Sequence, residues 1–72
     1  MYELMQQELT VLIDCAREVT GYDKDELDLV RESFFAFKRR AEHYMNLWTY
    51  HATLGPGFAR LLNEANRWID QL

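Results

Sequence analysis

Leu27-Asp28-Leu29-Val30-Arg31-Glu32-Ser33-Phe34-Phe35-Ala36-Phe37-Lys38-Arg39-Arg40-Ala41-Glu42-His43-Tyr44-Met45-Asn46-Leu47-Trp48 is the stretch that decides the fold. Within it Leu27, Val30, Phe34, Phe37, Ala41, Tyr44 and Trp48 recur in alternating steps of three and four. At 3.6 residues per turn that spacing puts all seven on one helical face. No glycine or proline interrupts the run until Gly55. The spacing therefore predicts a helix from about residue 24 to 53, roughly 45 Å long at 1.5 Å per residue. Thr49 to His51 are weaker helix formers and mark a place where it could break.

The start of this helix is well signalled. Asp23 is placed to be the N-cap, and Glu26, three residues on, completes a capping box. Tyr22 and Leu27 are spaced for a hydrophobic staple, and Asp25, Glu26 and Asp28 favour the positive end of the helix dipole.

Working outward, a first helix is expected over about residues 2–20. Met5, Leu9, Leu12, Ala16 and Val19 form its stripe, with Ile13 on one flank and Leu4, Val11 and Cys15 widening the apolar face on the other. Gly21 stands where a left-handed C-terminal cap is wanted. Gly55-Pro56-Gly57 is the strong punctuation of the second half and is read as ending the central helix. A third helix is expected over about residues 57–71, striped by Phe58, Leu62, Ala65, Ile69 and Leu72, with Leu61 and Trp68 beside them. No segment alternates with period two, so no strand competes. The fold class is all-α: three antiparallel helices in one domain over residues 1–72, the first along the front half of the long central helix and the third along its back half.

Seventy-two residues bury only about 60% of the surface their unfolded chain exposes. A fold this small needs reinforcement from disulfides, metals, association or very regular packing. Cys15 is the single cysteine, so an internal disulfide is excluded. The apolar fraction of 49% excludes a disordered tail. The net charge of −4 argues against nucleic acid and against an anionic membrane surface as partners. Neither a signal peptide nor a run of about 20 apolar residues is present, so no membrane span is expected. A single thiol without a targeting signal fits a reducing, cytoplasmic setting.

The back half of the central helix looks too apolar for one chain to cover. Tyr44, Met45, Trp48 and Ala52 share one side, and Leu47, Tyr50 and Leu54 another. A compact three-helix bundle could bury both. The favoured reading is that a second copy, or a different protein, buries the second side. Leu47, Tyr50 and Leu54 are the partner-binding candidates, with Phe35 on a neighbouring surface. Lys38, Arg39 and Arg40 form a basic cluster that could supply a rim contact to an acidic protein or, in an alternative reading as a transcription or nucleoid accessory factor, a phosphate contact. The leading expectation is a small protein–protein interaction module, an adaptor, chaperone-like partner or inhibitor, and not an enzyme.

The remaining chemistry-bearing residues form no constellation. The acidic run from Asp23 to Glu32 fails the calcium-loop pattern, since Leu27 occupies its fifth position and Asp28 stands where glycine is required. His43 and His51 are two turns apart with no further ligand in sight, so no metal is expected. Cys15 has no identifiable base beside it. Ser33 lacks the glycine elbow of a nucleophilic serine. No catalytic residue and no cofactor are assigned.

The run from Leu12 through Thr20-Gly21-Tyr22-Asp23 to Leu29 resembles the first helix and following turn of acyl carrier domains of polyketide synthases. In that family a long loop leads to an Asp-Ser pair whose serine carries phosphopantetheine at the start of the next helix. Here the loop is missing and Glu32-Ser33-Phe34 arrives inside a helix. The resemblance covers about a quarter of the chain, and no site is carried over from it.

Overall fold

The computed structural model describes residues 1–19 and 24–72. Three helices make up the described chain: α1 (Tyr2–Val19), α2 (Lys24–Leu47) and α3 (Leu54–Gln71). The expected caps at Gly21, Tyr22 and Asp23, and the end of the first helix at Thr20, lie outside the described residues.

The helices form an elongated bundle of 42 × 16 × 15 Å. Ring contacts fix their directions. At one end Phe58 meets the edge of Tyr2 at 5.4 Å and stacks on Tyr44 at 5.5 Å. At the other end Trp68 stacks on Phe34 at 6.5 Å, and the Arg17 guanidinium lies 5.8 Å from the Trp68 ring. Thus α1 and α3 run parallel, and α2 runs antiparallel to both. Arg31 Nη2 donates to the Leu72 carbonyl at 2.5 Å, so α3 reaches back almost to the start of α2.

Two expectations change here. The outer helices do not divide α2 into a front half and a back half. Each lies along most of its length, because the three helices are closer in length than the sequence suggested. That follows from the second correction: α2 stops at Leu47, not near residue 53. Trp48 to Tyr50 form a turn. There the Thr49 hydroxyl donates to the carbonyls of Met45 and Asn46, at 3.1 and 2.9 Å. Such a bond gives the backbone an alternative to continuing the helix.

Gly55-Pro56-Gly57 consequently sits inside the first turn of α3. Proline costs nothing there, since the first N–H groups of a helix have no internal partner. The cap is supplied by His51. Its Nδ1 accepts hydrogen bonds from the N–H groups of Thr53 and Leu54, at 3.2 and 3.0 Å. A side chain outside the usual capping set therefore starts α3.

The two glycines serve close approach. A Cβ on Gly55 would stand 2.8 Å from the Trp48 carbonyl oxygen and 3.2 Å from that of Thr49. A Cβ on Gly57 would meet the Tyr2 ring at 2.8 Å.

The expected stripe of α2 is the core of the molecule. Phe34, Phe37 and Ala41 are fully buried, joined by Met5, Leu9 and Ala16 from α1 and by Phe58, Leu61 and Ala65 from α3. Leu27, Val30 and Tyr44 are half-buried, and only Trp48 at the end of the stripe is exposed. One chain thus covers the stripe as far as Tyr44 on its own. The three phenylalanines supply bulk, and Ala16, Ala41 and Ala65 let the backbones close around them. Among the described residues no buried polar side chain occurs.

A candidate docking surface

The apolar side chains left outside the core are not scattered. Met1, Leu4, Val11, Leu29, Phe35, Leu47, Trp48 and Tyr50 are the exposed large hydrophobics. Met1, Leu4, Leu47, Trp48 and Tyr50 gather at one end of the bundle, where α1 begins and α2 turns into α3. The clustering follows from the local fold. The turn after Leu47 projects Tyr50 wholly into solvent, at 100% exposure. At the same end is a surface cleft of about 430 Å³ lined by Met1, Tyr2, Glu3, Trp48, Leu54 and Phe58. Its floor is Phe58, a core residue, and Glu3 is its one charged member.

The candidates expected to share a face are separated by the end of α2. Leu47 and Tyr50 are at this end and exposed. Leu54 is in the first turn of α3, half-buried and packed against the core, so it lines the cleft without standing proud of it. Phe35 is exposed more than three turns away from Leu47 and does not join them. At about 100° per residue it also points some 120° away from Leu47, toward the α3 side that Arg31 marks. Met1, Leu4 and Trp48 are the members that sequence reasoning missed. Leu4 and Trp48 had been assigned to buried faces. The available signal was position: each falls at the end of its helical stripe, where no neighbouring turn remains to cover it.

The basic cluster does not act as one patch. Lys38, Arg39 and Arg40 fan around α2 in steps of about 100°. Lys38 is half-buried, Arg39 is exposed, and Arg40 donates to Glu8 Oε1 of α1. That ion pair ties α1 to α2, though both side chains remain substantially in solvent and such a pair is worth at most about 1 kcal/mol.

Ser33 and His51 are occupied locally. The Ser33 hydroxyl donates to the Leu29 carbonyl at 3.0 Å within α2. His43 lies edge-on to Tyr44, while His51 is committed to capping α3. Cys15 is exposed on α1. Among the described residues no three His, Cys, Asp or Glu side chains are grouped to hold a metal ion. Likewise, no described helix is long and apolar enough to cross a membrane. No protein-family model, curated protein or solved structure gives a significant match to this chain.

Proposed function

We propose that this protein is a small protein–protein interaction module that docks through the apolar end of its bundle. The observation that carries the reading is the exposure of Met1, Leu4, Leu47, Trp48 and Tyr50 at one end of the bundle, where Met1 and Trp48 line a cleft floored by a core phenylalanine. A folded core beneath a cleft gives a rigid seat. Trp and Tyr at its rim bury much area with few rotors, which is the composition of interface anchors. The occupant that fits is an apolar side chain on a helix of the other protein, laid across the end with little need for charge. An adaptor, a chaperone-like partner or an inhibitor would each work this way, in the cytoplasm.

The test places a photo-crosslinking amino acid at Tyr50 in cells that make the protein, with Arg67, at the far end of the molecule, as the control position. The expected result is one dominant adduct from Tyr50 that is absent from Arg67 and is lost in a variant carrying Leu47→Glu and Trp48→Glu. Helicity of that variant should be unchanged, because Leu47 and Trp48 are exposed at the end of α2. Equal labelling from both positions, or an adduct indifferent to the variant, would refute the reading.

A further inference from the structure

The start of α3 depends on one residue. His51 Nδ1 accepts from the N–H groups of Thr53 and Leu54, at 3.2 and 3.0 Å, and the His51 carbonyl accepts from the Gly55 N–H at 3.3 Å. Pro56 has no N–H to satisfy, and the Gly57 N–H bonds the Thr53 carbonyl at 3.0 Å. Every backbone donor from Thr53 to Gly55 therefore ends on His51. The Thr53 side chain, placed where a cap ordinarily comes from, makes no capping bond.

His51 also holds the end of α2. Its own N–H bonds the Trp48 carbonyl at 2.9 Å, and its ring meets Trp48 edge-on, at 5.7 Å and 90°. The ring thus stands between the last residues of α2 and the first of α3, and it braces the turn that carries Trp48 and Tyr50.

An imidazole accepts at Nδ1 only while that nitrogen is bare. A neutral ring that accepts there carries its proton on Nε2. A second proton goes to Nδ1 itself, and the ring becomes a donor at both nitrogens. It then turns a donor toward two other donors, and both bonds are lost together. Histidine is the side chain whose charge changes between about pH 8 and 5. His51 is exposed, so protons reach it without opening the fold.

Among the described residues no ion pair offsets the charge on this ring. Tyr50 is the other titratable group between Tyr44 and Arg60. On α3 the first charged residue is Arg60, in the second turn, where it lines a cavity shared with α1. On α2 the nearest are Glu42 and His43, two turns or more before His51, and His43 lies against Tyr44. From α1 come the Met1 amino group and Glu3, whose residues line the cleft with Trp48. The free N–H groups at the start of α3 make that end partly positive, which opposes a cation there.

We infer that His51 makes the α2–α3 corner a proton-operated switch. Deprotonated, it caps α3 and braces Trp48; protonated, it releases both. The unfolded chain takes up this proton more readily than the capped one, so stability rises with pH. The cap's contribution is full above the histidine range and is lost as pH falls through it. A partner seated on Trp48 and Tyr50 is then held more tightly above that range than below it. This last consequence rests on the docking reading; the switch itself does not, and its test needs no partner.

Thermal denaturation of the full chain at pH 8 and pH 5, wild type beside His51→Ala and His51→Asn, reads the switch. At pH 8 His51→Ala should melt about 4–8 °C below wild type, the loss of one helix cap in a domain of this size. At pH 5 the gap should close. His51→Asn, whose side-chain oxygen caps without titrating, should stand above His51→Ala by the same margin at both pH values. In the wild-type protein, the Thr53 and Leu54 amide signals and the Trp48 indole signal should move with the His51 ring in an NMR titration, and not with the His43 ring. An equal gap at both pH values, or none at pH 8, overturns the inference. So do amide signals that stay still while the His51 ring titrates. Crosslinking from Tyr50 that fails at every pH would instead sink the docking reading and leave the switch standing.

Discussion

Two glycines one residue apart on either side of Pro56 should respond to alanine in different ways, and the difference follows from what each would touch. In an exposed helix interior, glycine to alanine gains up to about 1 kcal/mol of helix propensity. At Gly55 the new methyl would stand 2.8 Å from one backbone oxygen and 3.2 Å from the next, both in the turn that ends α2. Those oxygens cannot move alone. The Trp48 carbonyl accepts from the His51 N–H at 2.9 Å, and the Gly55 N–H itself bonds the His51 carbonyl at 3.3 Å. Relieving the overlap means displacing the first turn of α3 by about half an ångström. Overpacking of this kind costs about 1–3 kcal/mol. Because first-turn positions realise little of the propensity gain, Gly55→Ala should lose about 1–2 kcal/mol. For a domain of this size that is a fall in Tm of about 4–15 °C. At Gly57 the methyl meets only the far end of the Tyr2 side chain, which can swing toward solvent. The loss of the Tyr2–Phe58 edge contact, about 0.5–1.5 kcal/mol, is then offset only slightly, since Gly57 too is a first-turn position. Gly57→Ala should lose about 0.5–1 kcal/mol, less than Gly55→Ala. Paired thermal and urea denaturation followed by circular dichroism reads both values. A stabilised Gly55→Ala, or a Gly57→Ala costlier than Gly55→Ala, would refute the turn geometry on which this rests.

Phe37→Ala should remove about 3–5 kcal/mol, since the ring is fully buried, and in a domain this small that leaves little or no folded population by circular dichroism. His51→Ala should cost about 1 kcal/mol by leaving the Thr53 and Leu54 N–H groups without their shared acceptor, and His51→Asp should recover part of it in urea titrations.

The central helix shows how far sequence reasoning reaches. Phe34, Phe37 and Ala41 were legible as core because a three-and-four spacing over seven positions has no other physical use. Leu61 was placed beside its stripe and proves central, which is a rotation of less than half a turn. The end of α2 was not legible. Glycine and proline mark helix starts as readily as helix ends, and the residues that end this helix, Trp48 to Tyr50, carry no such mark. What divides the two helices is a threonine hydroxyl turned back on α2 and a histidine ring turned forward on α3. Each is a local hydrogen bond with no periodic signature. The same misplaced boundary put Leu54 on a face with Leu47 and Tyr50. A helix continued past its true end assigns false angles to everything beyond it. Leu4 and Val11 were drawn into the core because a stripe read from one sequence has no sharp edge. Where burial stops is decided by the width of the neighbouring helices.

A core built from three phenylalanines, three alanines, two leucines and a methionine, with no buried polar group among the described residues, holds its register by shape alone. Buried hydrogen bonds make sequences conservative, because each one has a partner that cannot be replaced singly. Here the interior imposes no such pairing. A lost ring on one helix can be made good by a larger side chain where an alanine now sits on another, provided volume is kept. The interior of this protein is therefore free to drift in composition while the bundle persists. Its fixed points lie at the α2–α3 corner, where a Cβ at Gly55 meets backbone oxygens and the His51 ring does the work of a cap.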